Sequence, residues 1–179
     1  MSATDILVGV DSCYYALLTT DLTGSIAYET PVAIPGLVSI SAKANNSEET
    51  LYADNGPYAT NSAFGGIDLE IEIAETTLAL YATLTGATYS GGQLYQSSAD
   101  TAPYIALMFR ALKSDGNYRY FALLKGKLTP ADEGFTTKAE KTTYQTVKFS
   151  GTFINRTYVE VTGDITGKTL YKKVSDTGT

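Results

Sequence analysis

Three carboxylates occupy alternate positions in the middle of the chain: Asp68, Glu70 and Glu72. Side chains at i, i+2 and i+4 of a strand share a face, so these three would lie together on one side of a strand. The intervening positions are all aliphatic, namely Ile67, Leu69, Ile71 and Ile73. The pattern predicts a strand with one wetted acidic face, which is either plain solvent surface or a surface whose negative charge is functional.

Catalysis and metal binding fit this pattern poorly. Glycosidases use paired carboxylates, but they generally take their acids from different strands around a cleft. A calcium site needs roughly six to eight oxygens converging on a turn, and a straight strand does not converge. The chain has no His and a single Cys, Cys13, which excludes Ser–His pairs and intrachain disulfides. We expect no catalytic residue, no metal site and no cofactor, and therefore no enzyme.

Composition narrows the class further. The 179 residues fit one domain, and the formal charge of -6 disfavours a protein that grips nucleic acid by neutralising phosphates. The apolar runs are far shorter than the ~20 residues of a membrane helix. The first residues show no basic start followed by an apolar segment, so no secretory signal is expected.

The elements that must position the carboxylates are mostly strands. Period-two alternation predicts strands at residues 38–44, 49–53, 67–73, 93–95, 104–113, 118–125, 143–153 and 158–162. Asn45-Asn46 would turn between the first two, and residues 172–179 are expected to fray. Asp115 and Gly116 predict a tight hairpin turn of the primed type within residues 114–117.

One segment, residues 75–86, departs from the strand period. It predicts a short helix that Thr76 caps and Gly86 ends. The predicted fold is therefore mainly β, with two packed β-sheets in a sandwich-like or barrel-like arrangement and one short flanking α-helix. Both faces of residues 104–113 are largely apolar, so the second face must be covered either by the helix or by another copy of the protein.

The order of these features resembles the major tail proteins of long-tailed bacteriophages, most closely those of the phi13 type. The match is carried by "TPVAIPGLVSIS" from residue 30, "LYADNGPYATNSAFGGIDLEIEIAE" from residue 51, the helix, and the segment "APYIALMFRALKSDGNYRYFALLKGKLTPADEGFTTKAEKTTYQTVKFSGTF". It runs from about residue 30 to residue 153. The flanking parts, about 1–30 and 154–179, match less well and would be an N-terminal arm and a C-terminal extension of a single tail-tube domain.

The resemblance implies a virion structural subunit, made in the host cytoplasm, that forms six-fold rings stacked into a hollow tube. Its partners would be further copies of itself, neighbouring tail proteins at the tube ends, and DNA that passes through the lumen without tight binding. No membrane contact is implied. Asp68, Glu70 and Glu72 would line the channel, because a negative wall leaves phosphates hydrated and free to slide.

A loop expected at residues 52–66 would clamp onto a neighbouring subunit, since loops longer than about 12–15 residues are usually functional or disordered. Its predicted contact residues are Tyr52, Asp54, Asn55, Pro57, Tyr58, Asn61 and Phe64. Two other functions stay open. One is the inner tube of a contractile or phage-derived particle, and the other is a β-sandwich module that binds carbohydrate or mediates adhesion.

Overall fold

The structure is a computed structural model that describes residues 6–131 and 145–176. In chain order its elements are β1 (Leu7–Leu22), β2 (Ser25–Tyr28), β3 (Val32–Ile34), β4 (Leu37–Ala53), β5 (Gly56–Ile73), α1 (Leu78–Thr85), β6 (Thr88–Ser90), β7 (Gln93–Tyr95), β8 (Ile105–Lys113), β9 (Tyr118–Pro130), β10 (Val147–Phe153), a 3-10 turn (Gly163–Ile165) and β11 (Lys172–Asp176). The prediction of a mainly β chain with one short helix is confirmed.

The strands form two sheets of very different size. The large sheet has nine antiparallel strands in the order β2–β1–β8–β9–β10–β5–β4, with β3 added to β1 and β11 added to β9. The small sheet is the β6–β7 hairpin. The large sheet is open and ends on β2 at one side and on β4 at the other, so β4 is an edge strand.

The core lies on one face of the large sheet. Its largest fully buried side chains include Phe149, Phe153, Leu69, Ile71, Ile73, Leu84, Ile105, Leu107, Leu123 and Leu128. Helix α1 packs on this face, where the ring of Tyr81 lies 5.5 Å from that of Phe149. Complete burial of one such side chain contributes roughly 1.5–3 kcal/mol.

The helix begins one residue later than predicted. The Thr77 hydroxyl, rather than that of Thr76, accepts a hydrogen bond from the N–H of Leu80 at 3.2 Å. The helix ends at Gly86 as predicted, with a left-handed φ of 79° that glycine adopts without a steric penalty.

The prediction of a loop at residues 52–66 is wrong, and so is the prediction of a turn at Asn45-Asn46. Strand β4 runs through Asn45 and Asn46 with only a shift in register, and the chain turns at Asp54 and Asn55 instead. Both turn residues have positive φ, 49° and 64°, as a primed two-residue turn requires. Residues 56–66 then return as β5, because their backbone groups pair with β4 whatever the polarity of the side chains.

The hairpin at residues 114–117 is confirmed, and both of its strands, β8 and β9, lie inside the large sheet. The predicted turn type is wrong, because only Gly116, at 85°, has positive φ. The N–H of Lys113 donates a hydrogen bond to the carbonyl of Asn117 at 2.8 Å. The N–H of Gly116 donates one to the carbonyl of Lys113 at 3.0 Å. This is a three-residue loop closed by a left-handed glycine.

The first and the last strand of the described residues both take part in the large sheet. Strand β1 lies inside it, and Cys13, Tyr15 and Ala16 are buried there. The predicted strand at residues 158–162 is wrong, since only one bridge, between Val159 and Thr169, is present there. The expected fraying is wrong for residues 172–176, which pair with β9 as β11, and residues 177–179 of that prediction lie outside the described residues. Of the strand predicted at 143–153, residues 143 and 144 lie outside the described residues.

Candidate functional site

A two-stranded ribbon projects from the edge of the large sheet. Pairing of β5 with β10 ends at Ile67 and Phe153, whereas pairing of β5 with β4 continues to Ala53 and Gly56. We call residues 46–64 the arm. It has eight residues on β4 and nine on β5, and at about 3.3 Å per residue it spans roughly 25 Å.

The tip of the arm is apolar and exposed. Leu51, Tyr52 and Tyr58 expose 61%, 70% and 74% of their surface. An isolated two-stranded ribbon is at best marginally stable in water, so a covering partner would stabilise it. The arm also carries three carboxylates, Glu48, Glu49 and Asp54, and no Lys or Arg.

The predicted contact residues all fall on this arm, although it is not a loop. Asp54 and Asn55 form the turn, and Tyr52, Pro57, Tyr58 and Asn61 are exposed. Phe64 differs from them. It is partly buried at the base of the arm, where its ring stacks on that of Tyr171 at 4.2 Å. Phe64 therefore joins the arm to the C-terminal part of the chain.

The predicted alternation at residues 67–73 is confirmed. Ile67, Leu69, Ile71 and Ile73 are buried in the core. Asp68, Glu70 and Glu72 point to the opposite face, where Asp68 and Glu70 are exposed and Glu72 is half-buried. A hydrogen bond from the Thr146 hydroxyl, aided by the nearby Lys148 ammonium, lowers the pKa of Glu72.

This face is far less acidic than the sequence pattern indicates. Lys43 lies opposite Asp68 on β4, and Lys148 lies opposite Glu72 on β10. Lys127 lies next along the same face, opposite Thr152 of β10. Three lysines thus accompany the three carboxylates. Local spacing does not reveal these neighbours, because each lies on a strand distant from residues 68–72 in the chain.

A groove of about 500 Å³ runs along this face, lined by Asp68, Glu70, Tyr104, Lys127, Ser150 and Thr152 among others. Tyr104 is 40% exposed. The ammonium groups of Lys125 and Lys127 lie 4.9 Å and 4.6 Å from the centre of its ring. The groove therefore combines carboxylates, hydroxyls and an aromatic ring that already has cationic neighbours.

A second groove lies on the face of β8 that points away from the core. Helix α1 packs on the core face, so it does not cover this side. The groove has a volume of about 570 Å³ and is lined by Ser12, Tyr14, Pro31, Met108, Phe109, Arg110, Tyr120, Phe121, Ala122, Lys173 and Ser175. We call it the Met108 groove. Tyr14 and Tyr120 are 40% and 38% exposed.

The Met108 groove carries positive charge near its apolar surface. Arg110 forms an ion pair with Asp11 at 2.5 Å, and its guanidinium lies 4.0 Å from the centre of the Tyr118 ring. Lys173 is exposed and forms no ion pair with a carboxylate in the described part of the chain. The groove therefore offers an apolar surface and one uncompensated cation.

Comparison of the chain with protein-family models and with curated proteins found no match. Over residues 6–131 and 145–176, no helix has the length and apolar character needed to cross a membrane. In the same residues, no three or more Cys, Asp or Glu side chains are grouped so that they could hold a metal ion.

Proposed function

We propose that this chain is a structural subunit of a phage tail tube, in which copies form six-fold rings that stack around a channel for DNA. The role is architectural rather than catalytic. The observation that supports the proposal most directly is the arm, because it exposes apolar side chains on a ribbon that has no covering layer of its own.

Burial against a neighbouring subunit would stabilise the arm. Removing about half of the Leu51 side chain from water contributes on the order of 1 kcal/mol, and Tyr52 and Tyr58 add comparable apolar area. Association costs roughly 4–15 kcal/mol in lost freedom of movement, so the arm alone does not hold a dimer tightly. In a closed ring or tube each subunit makes several contacts, and the later ones form at a high effective concentration.

The charge of the chain suits a channel that does not hold DNA. A ring of six copies carries a formal charge of roughly -36, six times the -6 of one chain, and such a field repels phosphates. We propose that the face bearing Asp68, Glu70 and Glu72 lines the channel. The three lysines beside them make this face itself nearly neutral, so the repulsion of phosphates comes from the charge of the whole ring, and this face only avoids holding the DNA.

Replacing the arm tests the proposal. In the test variant, residues 47–63 are replaced by Asn-Gly, which joins Asn46 and Phe64, an opposed pair, through a two-residue turn. The core is untouched, so circular dichroism and the melting temperature should stay close to those of the wild type. By electron microscopy, we expect rings or tubes from the wild type and only monomers from the variant.

The matched control keeps the arm and changes Thr60→Ser, which retains the hydroxyl that contacts Thr50. This control should assemble like the wild type. Normal tubes from the variant without the arm would contradict the proposed role of the arm. A wild-type protein that stays monomeric at every concentration would contradict the tube itself.

A carbohydrate-binding or adhesion module is a second candidate, supported by the groove beside Tyr104. Carboxylates, hydroxyls and an exposed ring are the groups that recognise sugars. The two lysines over the ring compete with a sugar for that surface, which weakens this candidate. Sugar binding by a monomer, measured by calorimetry and lost in Tyr104→Ala, would favour it over the tube. The inner tube of a contractile or phage-derived particle shares the proposed architecture, and a neighbouring sheath gene would distinguish it.

A further inference from the structure

We infer that the Met108 groove receives the tip of the arm from a second copy of this chain. The inference rests on the proposed self-assembly and names its acceptor surface. Helix α1 packs on the opposite face of the sheet, so it leaves this side of β8 open. The apolar pattern of residues 104–113 calls for a cover on this second face, and another copy of the chain is the alternative to the helix.

The two surfaces match in polarity. The arm tip presents Leu51, Tyr52 and Tyr58, and the groove presents half-buried Met108 and Ala122 between Tyr14 and Tyr120. Aromatic and Met side chains are enriched at the centres of protein interfaces. The groove volume of about 570 Å³ lies in the range that holds several side chains.

The two surfaces also match in charge. The arm has three carboxylates and no cation, whereas the groove has Lys173 and the Arg110–Asp11 pair. Attraction between opposite charges speeds the encounter and fixes the orientation, and it weakens as salt increases. Two arms would repel each other, so the charge favours contact between arm and groove over contact between arms.

The positions of the two surfaces favour an extended assembly. The arm leaves the sheet from β4 and β5 at one edge, whereas β8 is separated from β5 by β9 and β10. Donor and acceptor are thus different surfaces of the molecule. Such a heterologous contact repeats from copy to copy and gives a ring if the rotation closes, or a filament if it does not.

Crosslinking of two single-cysteine variants tests this contact. Ala59→Cys places a thiol on the arm opposite Leu51, and Ser175→Cys places one in the groove. The native Cys13 is 1% exposed, and burial raises its pKa to about 12, so it should not react. The two variants are mixed under conditions in which the wild type assembles and are treated with a short bismaleimide.

We expect covalent dimers from this mixture, at a yield at least tenfold above that from Ala59→Cys mixed with Ser90→Cys. Ser90 is exposed on β6 and gives the same chemistry outside the groove. Equal yields from the two mixtures would overturn the inference. If the wild type forms tubes without the specific crosslink, the groove assignment fails and the proposed function stands, whereas a wild type that never assembles overturns both.

Filling the groove gives a second, independent test. Ala122→Trp places an indole over the groove floor and should weaken self-association at least tenfold by sedimentation, with little change in melting temperature. Val161→Trp, at a site that is 66% exposed, is the control for an added Trp and should associate normally. Undiminished association of a folded Ala122→Trp protein would count against the inference.

Discussion

Asp21 shows how a single carboxylate holds the C-terminal part of the chain to β1. It accepts a hydrogen bond from the Lys125 ammonium at 2.6 Å and further ones from the N–H groups of Thr157 and Tyr158 at 2.8 Å and 3.0 Å. Burial raises the pKa of Asp21, but these hydrogen bonds outweigh it and lower the pKa to about 2. The folded state therefore favours the ionised form of the Asp21 carboxyl group.

This shift predicts a loss of stability in acid. Because the pKa of Asp21 is lower in the folded state than the ordinary 3.8, its contribution is complete above about pH 4 and disappears as the pH falls towards 2. The difference corresponds to about 2 kcal/mol of unfolding free energy. Asp21→Asn should lose about this amount at pH 7, and its deficit should shrink between pH 4 and pH 2 in urea titrations. Asp164→Asn, at an exposed site, is the control, and a constant deficit at every pH would refute the assignment.

Among the elements, the two long hairpins turn by different means. The arm turns through two residues with positive φ, whereas the β8–β9 hairpin places positive φ only on Gly116. The Asp115 carboxylate accepts a hydrogen bond from the Asn117 N–H at 2.9 Å, which supports the loop from within. Hydrogen bonds from the backbone and side chain of Asn117 also lower the pKa of Asp115.

Gly116 should tolerate substitution poorly for backbone reasons alone. A Cβ added at Gly116 meets no atom within 4 Å, so the cost comes from its φ of 85°. We expect Gly116→Val to reduce the unfolding free energy by about 1–3 kcal/mol, and Gly116→Asn to cost less because Asn tolerates this region. Gly24 has equally open surroundings without a left-handed φ, so Gly24→Val serves as the control. Equal melting temperatures for the two Val variants would contradict this account.

At the scale of the whole molecule, the charge that DNA meets in the proposed tube is the net charge of the whole channel wall, to which several strands contribute. Reversing Asp68, Glu70 and Glu72 together to Lys would place six lysines on a face that now carries three lysines and three carboxylates. Such a wall would exchange counterions with DNA phosphates and retain the DNA. Because the changed residues lie outside the core, tubes should still form.

We expect phage with this triple substitution to eject their genome more slowly, with a larger effect at low salt, where screening is weak. The matched control is Asp68→Asn, Glu70→Gln and Glu72→Gln, which removes the charges without reversing them and should slow ejection less. Ejection would be followed by release of dye-accessible DNA. Wild-type rates for both variants, with intact tubes, would leave this face as ordinary outer surface.

The sequence by itself determined the features that depend on residues close together in the chain. The aliphatic and acidic faces of residues 67–73, the helix that ends at Gly86 and the hairpin at residues 114–117 were all predicted, because each follows from local spacing. The mainly β class follows for the same reason. The spacing also predicts the strand at residues 49–53 and marks residues 52–64 of the arm as a contact segment, although it predicts a loop where the structure has a hairpin.

Only the tertiary structure decided how distant segments pair. Apart from residues 49–53, the mostly exposed residues of the arm have no strong alternation, so their strand conformation depends on pairing between β4 and β5. Lys43 and Lys148 neutralise the acidic face because their strands flank β5, and β11 is ordered because β9 offers it an edge. The open side of β8 likewise follows from the position of α1. These are contacts between residues far apart in the chain, and local spacing carries no information about them.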